Sequence, residues 1–189
     1  MRKGPQLGLS FLLSLPLGPI WAESQTGLGE RIAQQGTPQG VAPCMACHGP
    51  EGAGMGPTAY PRIAGLDADY MARQLADFRT GKRSNPIMTP MAMSLSEEEI
   101  AAVCGYYAGL PVPAPVAAAP LGASAKTAED LVRWGDWPGR GLPACAQCHA
   151  PDGNGIGSVF PGLAAQQASY IKAQFQAWRS GARANDPLG

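Results

Sequence analysis

Two stretches of the chain carry the same helical rhythm of apolar and polar positions. Met71, Leu75 and Phe78 recur at i, i+4 and i+7, and Ile171, Phe175 and Trp178 repeat the pattern one hundred positions later. A third helix is predicted over 96–110. Ser96 and Glu99 form a capping box, Leu95 can staple onto Ile100, and Ile100, Val103, Cys104 and Tyr107 make one apolar stripe that Gly109 and Pro111 close. The Gly-rich stretches 52–56 and 153–157 read as loops, and no segment alternates as a strand would, so the pattern predicts an all-α protein. The first residues differ in kind. Arg2 and Lys3 precede an apolar run from Leu7 to Ile20 that is too short to span a bilayer and holds Pro16 and Pro19. Residues 1–22 therefore read as a secretory signal peptide cleaved near Ala22, which predicts export to the periplasm.

The remaining chain reads as two copies of one module. Ala42-Pro43-Cys44 through Gly52-x-Gly54-x-Gly56 is echoed by Pro143-Ala144-Cys145 through Gly153-x-Gly155-x-Gly157. Tyr70, Gln74, Phe78, Arg79, Gly81, Arg83 and Asn85 match Tyr170, Gln174, Trp178, Arg179, Gly181, Arg183 and Asn185. Module 1 is expected over 23–110 and module 2 over 126–189, with the Pro/Ala-rich stretch 111–125 as a semi-rigid linker. Either module is small for an independent core.

Composition adds little. Lys plus Arg and Asp plus Glu both number 14, and no basic run suggests nucleic acid. Residues 23–112 carry six basic and nine acidic side chains and residues 113–189 six and five, a modest asymmetry that could orient a charged partner.

The candidate chemistry lies in Cys44-Met45-Ala46-Cys47-His48 and Cys145-Ala146-Gln147-Cys148-His149. Two Cys-x-x-Cys pairs in a zinc ribbon would sit about 15–20 residues apart, whereas Cys44 and Cys145 are 101 positions apart. A thioredoxin-like pair would need a βαβ setting and has no use for the following histidine. The chain has only two histidines, and each closes one motif. Cys-x-x-Cys-His is the attachment signature of c-type haem: the cysteines add as thioethers to the porphyrin vinyl groups and the histidine ligates iron. Two motifs predict two covalent haem c groups, which would also supply the apolar bulk each module lacks. Apo-protein is expected to fold poorly, and the Gly-rich loops are expected to let backbone pass close to a flat ring.

Taken together, these motifs resemble class I c-type cytochromes, most closely the two-domain cytochrome c4 group. The resemblance rests on Cys-x-x-Cys-His followed by the Gly-rich loop, on Pro61-x-Ile-Ala and Pro161-x-Leu-Ala, on the Tyr-x₃-Gln-x₃-[Phe/Trp]-Arg-x-Gly-x-Arg-x-Asn block, and on Met88-x-Pro-Met91 before Leu-Ser-x-Glu-Glu-Ile. It implies that His48 and His149 are iron ligands, that the carbonyls of Pro61 and Pro161 accept their Nδ1–H bonds, and that Arg83 and Arg183 meet haem propionates, with solvated surface residues as the open alternative for both arginines. It implies a Met sulfur as sixth ligand of the first haem: Met88, with Met91 next and Met93 third. Met55 is expected to pack, and Cys104 to be a buried inert thiol, with a reactive role as the alternative.

The second module departs from this pattern. No methionine follows Met93, and the repeat places Leu188 or Gly189 where Met88 stands. A counterpart of the helix over 96–110 is likewise missing. Two explanations stay open: a truncated sequence, or a second iron that is five-coordinate or water-ligated. Lys172, on a solvent-facing helix position, is no substitute ligand.

The resemblance implies a periplasmic dihaem carrier of single electrons, with no catalytic residues of its own. Its partners would be a quinol-oxidising complex, a terminal oxidase or a periplasmic dehydrogenase, and any membrane association would come through them. The alternatives are a cytochrome subunit of a flavin-containing dehydrogenase complex, or a haem enzyme with an open second iron.

Overall fold

The computed structural model describes residues 24–114 and 124–185. The expected signal peptide with its cleavage near Ala22, most of the 111–125 linker, and residues 186–189 lie outside them. Every regular element among the described residues is helical. Module 1 runs α1 (Gln25–Gln35), α2 (Met45–His48), a 3₁₀ turn (Gly56–Thr58), α3 (Ala68–Thr80), α4 (Met88–Ser94) and α5 (Glu97–Ala108). Module 2 runs α6 (Ser124–Trp134), which begins inside the expected linker, then α7 (Trp137–Arg140), α8 (Cys145–His149) and α9 (Ala168–Ser180).

α3 and α5 stand where the apolar rhythm placed them. Asp67 caps α3 by accepting the Tyr70 N–H at 2.9 Å. At α5 both halves of the capping box are formed, Glu99 N–H to Ser96 Oγ at 3.1 Å and Ser96 N–H to Glu99 Oε2 at 2.7 Å. α1, α4 and α6 have no counterpart among the sequence expectations. In α1 the reason is Gly27 and Gly29, which lower helix propensity. Gly29 is there because α1 crosses α5 at that point: a Cβ would lie 2.2 Å from the Ala102 carbonyl oxygen and 2.8 Å from Tyr106 Cβ.

The core belongs almost entirely to module 1. Ile32, Val41, Leu66, Tyr70, Met71, Leu95, Ile100, Val103, Cys104 and Tyr107 form one buried cluster from α1, α3, α5 and the loops between them. Among the described residues of module 2, Ala144 is the one buried apolar residue. The contrast is sharpest on equivalent faces of α3 and α9. Met71 is buried and Leu75 packs on the core beneath α4 and α5, and Arg79 donates to the carbonyls of Ala92 (2.7 Å) and Leu95 and pairs with Glu97. On α9 the same positions are less covered: Ile171 is half-buried, Phe175 is 61% exposed, and a depression of about 430 Å³ is lined by Ala168, Ile171, Lys172, Phe175, Gln176 and Arg179.

The modules meet through an interface with two-fold character. Ser84 N–H donates to the Ala182 carbonyl and Ala184 N–H to the Lys82 carbonyl, both at 2.7 Å, around an antiparallel bridge of Arg83 with Arg183. Positions 82 and 84 are the repeat mates of 182 and 184, so each bond is the image of the other.

Candidate functional site

Each Cys-x-x-Cys-His motif forms one short helical turn, and each helix ends in a residue with positive φ, Gly49 at 80° and Ala150 at 66°. The turn directs the histidine at a following loop. His48 Nδ1–H donates to the Pro61 carbonyl at 2.9 Å and His149 Nδ1–H to the Pro161 carbonyl at 2.7 Å. With Nδ1 engaged, Nε2 is the nitrogen left to bind a metal, and the carbonyl fixes that tautomer. Burial holds the His48 pKa below its ordinary value, against the opposing pull of the Pro61 carbonyl, which favours the neutral ring that metal binding requires.

The Gly-rich loops have a role that the sequence did not suggest. They let backbone pass close to backbone. A Cβ on Gly54 would lie 2.5 Å from Arg62 N and 2.6 Å from the Tyr60 oxygen, and one on Gly155 would lie 2.6 Å from Gly162 N and from the Phe160 oxygen. Gly54 and Gly155 have φ of 80° and 89°, and their N–H groups donate to the carbonyls of His48 (2.7 Å) and His149 (2.9 Å). Each glycine thus clamps the histidine turn directly onto the proline loop that orients the histidine.

Cys44, Cys47, Cys145 and Cys148 are half-buried free thiols, so neither pair is closed as a disulfide. Burial is the main cause that raises the Cys44 thiol to about 11. No group of three or more His, Cys, Asp or Glu side chains that could hold a metal ion occurs among the described residues. Two thiols and one imidazole at each motif fit an iron that arrives inside a covalently held macrocycle, the thiols to bond the macrocycle and the imidazole to ligate the metal.

Arg83 and Arg183 are 9% and 6% exposed, which removes the reading of solvated surface residues. Arg83 donates to Tyr170 Oη and Gln174 Oε1, both at 2.8 Å, and Arg183 donates to Gln174 (2.9 Å) and Gln74 (3.2 Å) and bonds to Tyr70. Each guanidinium stacks on an aromatic ring, Phe78 at 4.6 Å and Trp178 at 4.1 Å. No carboxylate among the described residues lies within ion-pair distance of either. A buried charge is normally paired, so two cations held only by neutral acceptors and rings fit an anion such as a propionate.

The three methionines separate by environment. Met91 packs against the core cluster, Met93 is 62% exposed, and Met88 is half-buried in the first turn of α4. Asn85 Oδ1 accepts the N–H groups of Ile87 and Met88, both at 2.9 Å, and so sets the start of that turn. Met55 is 36% exposed. Cys104 is buried in the core, and burial is the main cause that raises its thiol to about 12. Lys172 is exposed, and the positions matched to Met88, Leu188 and Gly189, lie outside the described residues.

Residues 33–110 match the family model described as cytochrome c. Over 185 residues the chain is 44% identical to a protein named thiosulfate dehydrogenase electron acceptor from Stutzerimonas stutzeri (strain A1501), covering 97% of this chain and 82% of that one. It superimposes on reduced recombinant cytochrome c4 from Pseudomonas stutzeri with a TM-score of 0.69 at 35% identity, covering 79% of this chain and 82% of the other. The as-isolated thiosulfate dehydrogenase (TsdBA) from Marichromatium purpuratum matches with a TM-score of 0.76 at 45% identity over 82% of this chain, which spans 33% of that longer chain.

Proposed function

The chain belongs to the dihaem cytochrome c4-like family of c-type cytochromes, and from that membership we propose that it is a periplasmic electron acceptor for a thiosulfate dehydrogenase. The protein works in electron transfer and carries two covalently bound haem c groups. The observation that carries the finer reading is the 44% identity, over 97% of the chain, to a protein named for that role. Bound haem supplies a reversible one-electron cycle between ferric and ferrous iron. The remaining roles fall to the chain's own residues.

In this reading Cys44 and Cys47 hold the first haem and Cys145 and Cys148 the second. His48 and His149 ligate iron through Nε2, with Pro61 and Pro161 fixing the rings. Met88 supplies the sixth ligand of the first haem, because Met91 is used in the core and Met93 faces solvent. A thioether there favours the reduced state and raises the potential. Arg83 and Arg183 neutralise propionates at the interface between the modules. No helix among the described residues is long and apolar enough to cross a membrane, which fits delivery by the leader at residues 1–22.

A second reading is a dedicated cytochrome subunit rather than a free shuttle. It is favoured by the Marichromatium structure, a thiosulfate dehydrogenase chain of which this chain spans only 33%. The dehydrogenase concerned would then act on thiosulfate, rather than being the flavin-containing complex that the sequence left as an alternative.

The test mixes the oxidised dihaem protein with thiosulfate and the thiosulfate dehydrogenase of the same organism. Rapid reduction of haem that needs both components is the expected result. Reduction by a quinol-oxidising complex but not by the dehydrogenase would move the protein to the respiratory reading. Met88→Ala should cost one haem its low-spin His/Met spectrum, whereas Met91→Ala should leave that spectrum intact; the reverse outcome assigns the ligand to Met91.

A further inference from the structure

Among the described residues the most deeply buried large polar side chain is Arg62, at 1% exposure. It follows Pro61, whose carbonyl orients His48. One end of its guanidinium, Nη1, donates to the Ala64 carbonyl in its own module. The other, Nη2, crosses to module 2 and donates at 2.9 Å to the carbonyl of Gly162, the residue after Pro161. Its Nε–H has no acceptor among the described residues. Module 2 also grips the Arg62 backbone: Arg62 N–H donates to Gln166 Oε1 at 2.8 Å and to Gln167 Oε1 at 3.2 Å, and Gln166 Nε2 donates back to the Arg62 carbonyl at 3.0 Å.

The repeat makes this arrangement informative. Position 62 in module 1 corresponds to position 162 in module 2, and there the arginine is replaced by glycine. The interface brings the two positions together, and position 162 has room for no side chain of its own: a Cβ there would lie 2.8 Å from the Asn154 carbonyl oxygen of the same module, with Arg62 Nη2 at 3.4 Å. The two modules therefore share this cation, which follows Pro61 in the chain and hydrogen-bonds the carbonyl of the residue that follows Pro161. A fixed positive charge in a low-dielectric interior favours addition of an electron to iron nearby.

We propose that Arg62 is a positioning residue common to both haem sites. Its guanidinium ties the loop behind His48 to the loop behind His149, and its charge raises both reduction potentials. The proposal rests on the reading of His48 and His149 as iron ligands, so the haem content of the wild-type protein is measured first. Fewer than two haems per chain would sink that reading rather than this one.

The experiment is a potentiometric titration of the matured dihaem protein and of Arg62→Gln and Arg62→Lys, with hyperfine-shifted haem methyl resonances as a second readout. Arg62→Gln should weaken the ferric-to-ferrous equilibrium constant of both haems about threefold or more, a downward shift of about 28 mV at 59 mV per tenfold for one electron. It should also move the methyl resonances of both haems. Arg62→Lys keeps the charge, though not the span between the two carbonyls, and should restore most of both potentials. A shift confined to the first haem, no shift at either, or equal shifts in the lysine and glutamine variants would overturn the proposal. Should Arg62→Gln fail to mature, Arg62→Met, neutral and unbranched, takes its place with the same expectations. Failure of both neutral variants beside a fully loaded Arg62→Lys would also overturn it, because the residue would then be a requirement for folding.

Discussion

Replacing Gly54 by alanine should be far more damaging than replacing Gly81, although both have φ near 80°. Left-handed backbone costs a non-glycine residue roughly 1–2 kcal/mol, and both variants incur that. At Gly81 nothing lies within 4 Å of a new Cβ, so the conformational cost is the whole cost. At Gly54 the new Cβ lies 2.5 Å from Arg62 N and 2.6 Å from the Pro61 carbonyl carbon and the Tyr60 oxygen. All three are backbone atoms, and no rotamer change can relieve them. Forced overpacking of this kind adds about 1–3 kcal/mol. Gly54→Ala should therefore cost about 2–5 kcal/mol, a large share of the roughly 5–15 kcal/mol that holds a typical domain folded. Guanidinium unfolding of the matured protein, followed by circular dichroism and haem absorbance, measures both variants. The same substitution pushes the Pro61 loop away from His48, so the potential of the first haem should move in Gly54→Ala and stay fixed in Gly81→Ala. Equal stabilities for the two variants would refute the account of the Gly-rich loop as a backbone clamp.

Two further outcomes follow from burial. Leu75→Ala should destabilise module 1 by about 2 kcal/mol, whereas Phe175→Ala, at a position 61% exposed, should cost well under 1 kcal/mol; thermal unfolding of the two variants compares them, and equal costs would mean the α9 face is covered in solution. Cys104 should make the fold sensitive to alkali. Its thiol is raised from 9.0 to about 12, so the folded protein keeps a proton that the unfolded chain loses. The stability this contributes is complete below pH 9 and is lost as pH rises toward 12. Between about pH 8 and about pH 10.5 the wild type should lose more stability than Cys104→Ala; parallel losses would show that the thiol does not titrate in this way.

What the chain discloses in its sequence is mostly local. The two Cys-x-x-Cys-His turns, the capping box at Ser96 and the helices α3 and α5 depend on neighbours within a few residues, and all can be read directly. The Pro61 and Pro161 partners sit 13 and 12 positions from their histidines, and only the family resemblance pointed to them. The role of Arg62 was invisible, since its partners Gly162 and Gln166 are 100 and 104 positions away. The repeat did contain a signal: it aligned an arginine with a glycine in otherwise matching segments, a mismatch that gains meaning only once the two positions are seen to touch. Likewise Gln74 and Gln174 stood in the sequence only as matching positions of the repeat, yet both face the arginine pair at the interface. α1 was hidden by Gly29, whose missing side chain is what allows the crossing with α5.

The paired hydrogen bonds of residues 82 and 84 with 184 and 182 have a consequence for ancestry and assembly. A contact in which each half makes the same bond to the other is isologous, the kind that two identical subunits use to form a closed dimer. Nothing in its geometry needs the halves to be joined. The covalent connection acts through effective concentration, turning a bimolecular encounter into an internal one at the millimolar level expected of short tethers. Once joined, the halves were free to diverge, and an arginine on one side could settle over a glycine on the other, which no pair of identical chains can do.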